Sequence, residues 1–272
     1  MNEKPIISRR DFLKLSGLSA ASLMLPRTPD PGENEAQAEL NLIEPEYTPQ
    51  SLMLHSANLP LLIEGGLINE IKKEGLETAT YAQLYDSLLS GKTQKNQILL
   101  SIDDLSPVWL RKDFKLMIEQ LESAGMIGTL ALITGKRKDG NPEIWHYLKN
   151  LAEKGWEIAI HGKEHFQFTA LDNETLKTMI VDPFNDITRE IGISPKTLIL
   201  PFGAIAVPGT EEFDQRIFDV SGTLGIKWVV GIAGGKTFVG KPPYFVGRIP
   251  PGEDGVITAE LLKNSFDPTR KY

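Results

Sequence analysis

Four histidines occur in the 272 residues, and two of them, His161 and His165, stand four apart in the stretch AIHGKEHFQF, residues 159–168. Imidazole pairs at short spacing are metal-ligand candidates. With Glu164 between them the letters read H-x-x-E-H, a zinc-peptidase order, which requires both rings on one helical face. The residues before the pair, Trp156-Glu157-Ile158-Ala159-Ile160, have the pattern of a strand instead. Gly162 and Phe166-Gln167-Phe168 do not carry a helix through the pair. The next candidate group is Asp103-Asp104, directly after the apolar run QILLSI. Such a pair suits a helix N-terminus, where the macrodipole favours negative charge. Adjacent carboxylates at a strand end also project in different directions, so one can bind a cation while the other acts as a base. The chain contains no cysteine, which excludes disulfides, thiolate metal sites and a cysteine nucleophile.

The elements that must position these groups follow an alternation of strand and helix. Short apolar runs at 51–55, 97–102, 128–133, 156–160, 197–200, 227–231 and 244–249 are separated by amphipathic stretches, as in a parallel sheet buried on both faces. Ser106-Pro107 predicts a helix N-cap and first turn, Phe114, Met117, Ile118 and Leu121 keep helical spacing, and Gly125 ends the run. Asn141-Pro142 repeats the device, with Ile144, Leu148 and Leu151 on one face and Gly155 closing it. Seven such strands with no G-x-G-x-x-G after any of them favour a barrel over an open nucleotide-binding sheet. Barrel chemistry sits where strands end. That rule gathers Asp103, Asp104, His161 and His165 with His55 (after SLML), Pro201-Phe202-Gly203 (after TLIL) and Arg248 (in YFVGR). His146 falls off the apolar face of its helix and reads as a solvated surface residue.

The length and a hydrophobic content of 41% suit one domain with one core. Net charge is −7 and no basic block occurs, which argues against nucleic acid as a partner. The N-terminus carries Ser8-Arg9-Arg10-Asp11-Phe12-Leu13-Lys14 and then an apolar run, Leu15 to Leu25, of 11 residues. A membrane-spanning helix needs roughly 20. Paired arginines before a diluted apolar run are similar to a twin-arginine export signal, with Ala36-Gln37-Ala38 as a small-x-small cleavage site. Residues 1–38 are thus expected to be signal and linker, and 39–272 the folded domain. The twin-arginine machinery is an expected partner, and the destination is the periplasm, the exterior or the outer face of a membrane.

Taken together these residues resemble the polysaccharide deacetylases, carbohydrate esterase family 4, over about residues 50–250. LLSIDDL stands where that family has Thr-Phe-Asp-Asp-Gly. GWEIAIHGKEHFQFTAL is similar to the His-Ser/Thr-x-x-His motif with its leading strand, and LILPFG to the Pro-Tyr/Phe-Gly motif. SLMLH looks like the opening strand of the poly-N-acetylglucosamine deacetylase-like subgroup. The resemblance implies an α/β fold, a distorted (β/α)7 barrel. It implies that Asp104, His161 and His165 bind a divalent metal, most often zinc, with cobalt, nickel or manganese as alternatives. Asp103 would be the general base, and the Pro201-Phe202-Gly203 loop would offer a backbone N–H to the oxyanion. The implied substrate is an N-acetylated polysaccharide or oligosaccharide, with an acetyl ester as a variant.

Three departures stand beside the matches. Ile199 replaces the arginine that orients the base, Leu105 replaces the glycine after the aspartates and is expected to narrow the mouth, and no histidine follows His165 to act as general acid. His55 as acid and Arg248 as the orienting cation are the expected substitutes. A glycan-binding protein with weakened catalysis is the alternative from another class, and the peptidase a third reading.

Overall fold

The computed structural model describes residues 50–55, 58–60, 66–90, 96–135, 141–232, 237–238 and 243–249. The signal-like stretch and its cleavage site lie outside these residues. The apolar runs form strands β1 (Gln50–Leu54), β2 (Glu77–Ala79), β3 (Gln97–Leu105), β4 (Thr129–Leu132), β5 (Glu157–Ile160), β6 (Thr197–Ile199), β7 (Trp228–Ile232), β8 (Thr237–Phe238) and β9 (Tyr244–Arg248). Helices α1 (Leu67–Lys73), α2 (Tyr81–Leu89), α3 (Lys112–Ser123), α4 (Pro142–Glu153), α5 (Asn173–Ile191) and α6 (Gln215–Thr223) lie between them.

The sheet order is β1-β3-β4-β5-β6-β7-β9-β8, with β2 on the start of β3. All pairs are parallel except β8 with β9. A bridge between Leu52 and Ile249 brings the last long strand back to the first. Two backbone bonds make it among the described residues, Met53 N–H to Ile249 O at 3.2 Å and Ile249 N–H to Ser51 O at 2.8 Å. Seven parallel strands therefore surround one lumen, a distorted (β/α)7 barrel with a narrow seam.

Strand alternation sorts the side chains. Leu52, Leu54, Leu100, Ile102, Leu130, Leu132, Ile158, Ile160 and Leu198 point out and pack with Phe114, Met117, Leu121, Leu148, Met179 and Ile180 of the helices. Each such burial contributes about 1.5–3 kcal/mol. Leu99, Ala131, Ala159, Ile199, Trp228, Val230 and Val246 point in, joined by Tyr81, Leu84 and Tyr85 of α2. One floor contact is Glu157, a buried carboxylate on β5. It accepts hydrogen bonds from Ala82 N–H at 3.1 Å, Thr129 Oγ1 at 2.9 Å and Thr197 Oγ1 at 2.6 Å.

Helix boundaries partly differ from expectation. Asn141 caps α4 as predicted, its side chain accepting from Glu143 N–H at 2.9 Å. Ser106-Pro107 does not start α3. Ser106 Oγ instead accepts from Val108 N–H at 3.2 Å in a local turn, and the helix begins at Lys112 after the extended Arg111. His146 is exposed on α4, as its spacing predicts. Strand β2 has only three residues, too few to register as an apolar run. Among the described residues no helix is long and apolar enough to cross a membrane.

Candidate metal and catalytic site

Parallel strands end on one side of a barrel, and the lumen-facing parity decides which side chains reach that mouth. On β3 the inward positions are Leu99, Ser101 and Asp103. On β5 they are Glu157 and Ala159, with His161 next in line. On β9 they are Tyr244, Val246 and Arg248. Asp104 has the wrong parity for a regular strand. It enters the left-handed region with φ 67°, and the β3–β4 register shifts between Ile102 and Leu105. This irregularity re-aims the Asp104 carboxylate over the mouth. Leu105 then resumes the outward direction and is fully buried against the helices, so the expectation that it narrows the mouth is corrected.

The two carboxylates have separate partners. Asp103 is buried, and Arg248 Nη1 donates to both of its oxygens, at 2.7 and 2.8 Å. The same nitrogen donates to Ser101 Oγ at 2.9 Å, and Ser101 Oγ donates to Leu52 O at 3.3 Å. Arg248 itself is fully buried. Burial opposes its charge, but the charge of Asp103 raises its pKa further still. Nearby, Tyr81 shares a 2.6 Å hydrogen bond with Ser51, and burial pushes its phenol up to about 12, so it stays neutral.

Asp104 faces three imidazoles. Its Oδ1 lies 3.3 Å from Nε2 of His161 and 3.3 Å from Nε2 of His165, and its Oδ2 lies 3.3 Å from Nδ1 of His55. Burial opposes the Asp104 charge, but the imidazoles gathered around it hold it well below the usual carboxylate range. The Asp104 bond raises the pKa of His55 despite its burial. Burial lowers that of His165, which favours the neutral ring that binds metals. His55 is held by Asn58, whose side-chain oxygen accepts the His55 N–H at 2.7 Å.

Asp104, His161 and His165 can each present one ligand atom, all within 4.8 Å of one another. His161 Nδ1 lies 2.9 Å from Ile199 O. A carbonyl only accepts, so Nδ1 carries the proton and Nε2 keeps its lone pair. Among the described residues, buried His161 Nε2 and Asp104 Oδ1 have no hydrogen-bond partner. Two orphaned acceptors aimed at one point, beside a second imidazole, fit a divalent cation. His161 follows β5 and no helix spans the pair, so the H-x-x-E-H helix of a peptidase is not formed.

The turn after β6, Pro201–Gly203, borders the same mouth. Phe202 is 61% exposed with φ 59°, and its ring centroid lies 4.4 Å from that of His165. Gly203 has φ 63°, and a Cβ there would collide with the Ile232 side chain. Its N–H is donated to Leu200 O at 2.9 Å, so it is not a free oxyanion donor. All nine sequence-predicted residues thus lie at one end of the barrel. Ser101, Tyr81 and Asn58 were not predicted. The inward parity of Ser101 two residues before Asp103 is the signal that could have found it; for Asn58 and Tyr81 no pattern stands out.

The sequence profile of the family described as Polysaccharide deacetylase matches residues 90–228. The Streptococcus pyogenes deacetylase PplD in complex with acetate superposes with a TM-score of 0.65 at 15% identity, over 82% of this chain and 99% of that one. IcaB from Ammonifex degensii gives 0.58 at 14% identity, over 80% and 96%. The de-N-acetylase from Aggregatibacter actinomycetemcomitans gives 0.57 at 17%, over 79% and 98%. No protein of curated function matches the sequence. The solved structures share the fold at low identity, whereas the profile spans half the chain, including the aspartate pair, both mouth histidines and the Pro201–Gly203 turn. The chain belongs to the polysaccharide deacetylase family.

Proposed function

We propose that this protein is a metal-dependent hydrolase that removes acetyl groups from an N-acetylated glycan, exported in folded form by a twin-arginine signal within residues 1–38. The observation that carries the reading is the division of labour at the end of β3. Asp104 joins His161 and His165 around one point, while Asp103 stands beside them, 3.9 Å from His161 Nε2 and held by Arg248. A divalent cation bound by Asp104, His161 and His165, most often zinc, would polarise the acetamide oxygen and acidify water.

The chain's own residues account for the rest. Asp103 takes the proton from the attacking water, and Arg248 holds its carboxylate fixed in direction. The Phe202 N–H is the donor that the Pro201–Gly203 turn has left for the developing oxyanion. His55, half-exposed at the rim and raised in pKa by Asp104, delivers a proton to the departing amine. Arg248 and His55 thereby fill the roles of the absent arginine and late histidine. Acetate release from chitin oligomers and poly-N-acetylglucosamine, with added zinc or cobalt and after chelation, tests this. Metal-dependent release is expected. Oligomer binding without acetate release would assign the protein to the glycan-binding alternative.

A further inference from the structure

The loop between the two metal-directed histidines is three residues long, and its middle residue is tied to a helix by an unusual route. Helix α5 runs unbroken from Asn173 to Ile191 through a buried proline, Pro183. Proline has no N–H, so the carbonyl four residues earlier, that of Met179, loses its usual helical partner. The Met179 carbonyl instead accepts the backbone N–H of Lys163 at 3.0 Å. Lys163 lies midway between His161 and His165.

The opposite side of the loop is also anchored. His161 N–H donates to Leu132 O at 2.8 Å, Thr134 N–H to Gly162 O at 3.2 Å and Gly135 N–H to Lys163 O at 2.8 Å. The Lys163 ammonium pairs with Asp182, the residue before the proline. Gly162 has φ 97°, a conformation that disfavours any side chain at this turn. The segment is held between the end of β4 and α5, with its ring centroids 5.2 Å apart. Proline is the residue least suited to a helix interior, and a local rule broken beside a site is explained when it serves that site.

We infer that Pro183 is a positioning residue for the metal site, acting through the Met179 carbonyl that it frees to hold Lys163 and so set the spacing of His161 and His165. This rests on the metal reading proposed above. Pro183→Ala supplies an N–H that competes with Lys163 for Met179 O. It is expected to keep or raise the thermal midpoint, because it restores a helical bond, yet to weaken zinc binding by roughly tenfold or more, as loss of supporting contacts around metal ligands does. The visible spectrum of the cobalt-loaded protein should change. In the metal-free protein the Lys163 amide should exchange with deuterium at least about tenfold faster. If Pro183→Ala does not fold, Pro183→Ser supplies the same N–H and serves the same comparison. A folded variant with wild-type zinc affinity, cobalt spectrum and Lys163 exchange would overturn the inference while leaving the metal site standing. A wild-type protein that takes up neither metal would overturn the site and the inference together.

Discussion

One backbone dihedral separates the fates of two neighbouring carboxylates. The left-handed turn at Asp104 sends it to the imidazoles, and the regular strand keeps Asp103 on Arg248. Asp104→Ala should abolish metal uptake and turnover together, since two histidines alone hold zinc poorly. Asp103→Asn should retain metal and lose about 10²–10⁴-fold in turnover, the usual cost of a missing general base. Equal metal loss in both variants, measured on purified protein, would reverse these roles. Arg248→Ala leaves Asp103 buried and unpaired, which costs about 3–5 kcal/mol of stability in addition to activity. A thermal midpoint close to wild type would show that water replaces the guanidinium. His55→Ala, at the half-exposed rim, should lower kcat with metal retained.

At the scale of elements, the β6–β7 corner is the least forgiving part of the mouth. Gly203 combines a positive φ with backbone pressed on Ile232. Gly203→Ala should destabilise by more than about 1 kcal/mol and displace Phe202 from His165, because both the dihedral and the contact oppose a Cβ. Chemical denaturation gives the first quantity, and the ratio of kcat to KM changes reports the second. A variant with wild-type stability would show that β7 yields. Much at this scale was legible in the sequence. WEIAI and QILLSI read as strands because each run is apolar on both faces, and the residues that follow them are then forced to the mouth. Asn141-Pro142 marked α4 because side-chain capping and a pre-set φ act locally. Ser106-Pro107 uses the same letters, but Ser106 closes a short turn instead, and nothing local distinguishes the outcomes. The register shift at Asp104 was hidden because it depends on how β3 meets β4. The Arg248–Asp103 pair spans 145 residues, so only the barrel's closure could make it more than a guess from strand ends.

At the scale of the whole molecule, Glu157 ties β4, β5 and β6 to the N-terminus of α2. Burial raises its pKa above the ordinary 4.5, outweighing the hydrogen bonds from Thr197, Ala82, Thr129 and Tyr81 that favour the charged form. An acid whose folded pKa is raised contributes stability that is complete below the unfolded pKa and is lost as pH rises through the folded one. Glu157→Gln replaces an oxygen that can accept in either protonation state by an NH2 group that cannot, so it should be less stable than wild type at pH 4–5 by about 1–3 kcal/mol. The deficit should shrink towards pH 8, where wild type must bury a charge and the amide does not. Thermal melts of both proteins across this range measure the gap, and a gap that stays constant or widens with pH would show that the hydrogen bonds outweigh burial.

The seam between β1 and β9 has a consequence in time. β9 brings both the Leu52–Ile249 bridge that shuts the lumen and the only cation on Asp103 among the described residues. A chain emerging from the ribosome makes β1 through β7 first, and each can settle on its neighbour as it appears. Until residues 244–249 follow, the lumen is open along one side and Asp103 has no counterion. Competence therefore arrives in one late step whose contacts span most of the domain, the kind of step that limits folding rate. A ribosome-stalled fragment ending after β7 would carry Asp103, Asp104 and both mouth histidines, and would still lack the guanidinium that pairs with the first of them.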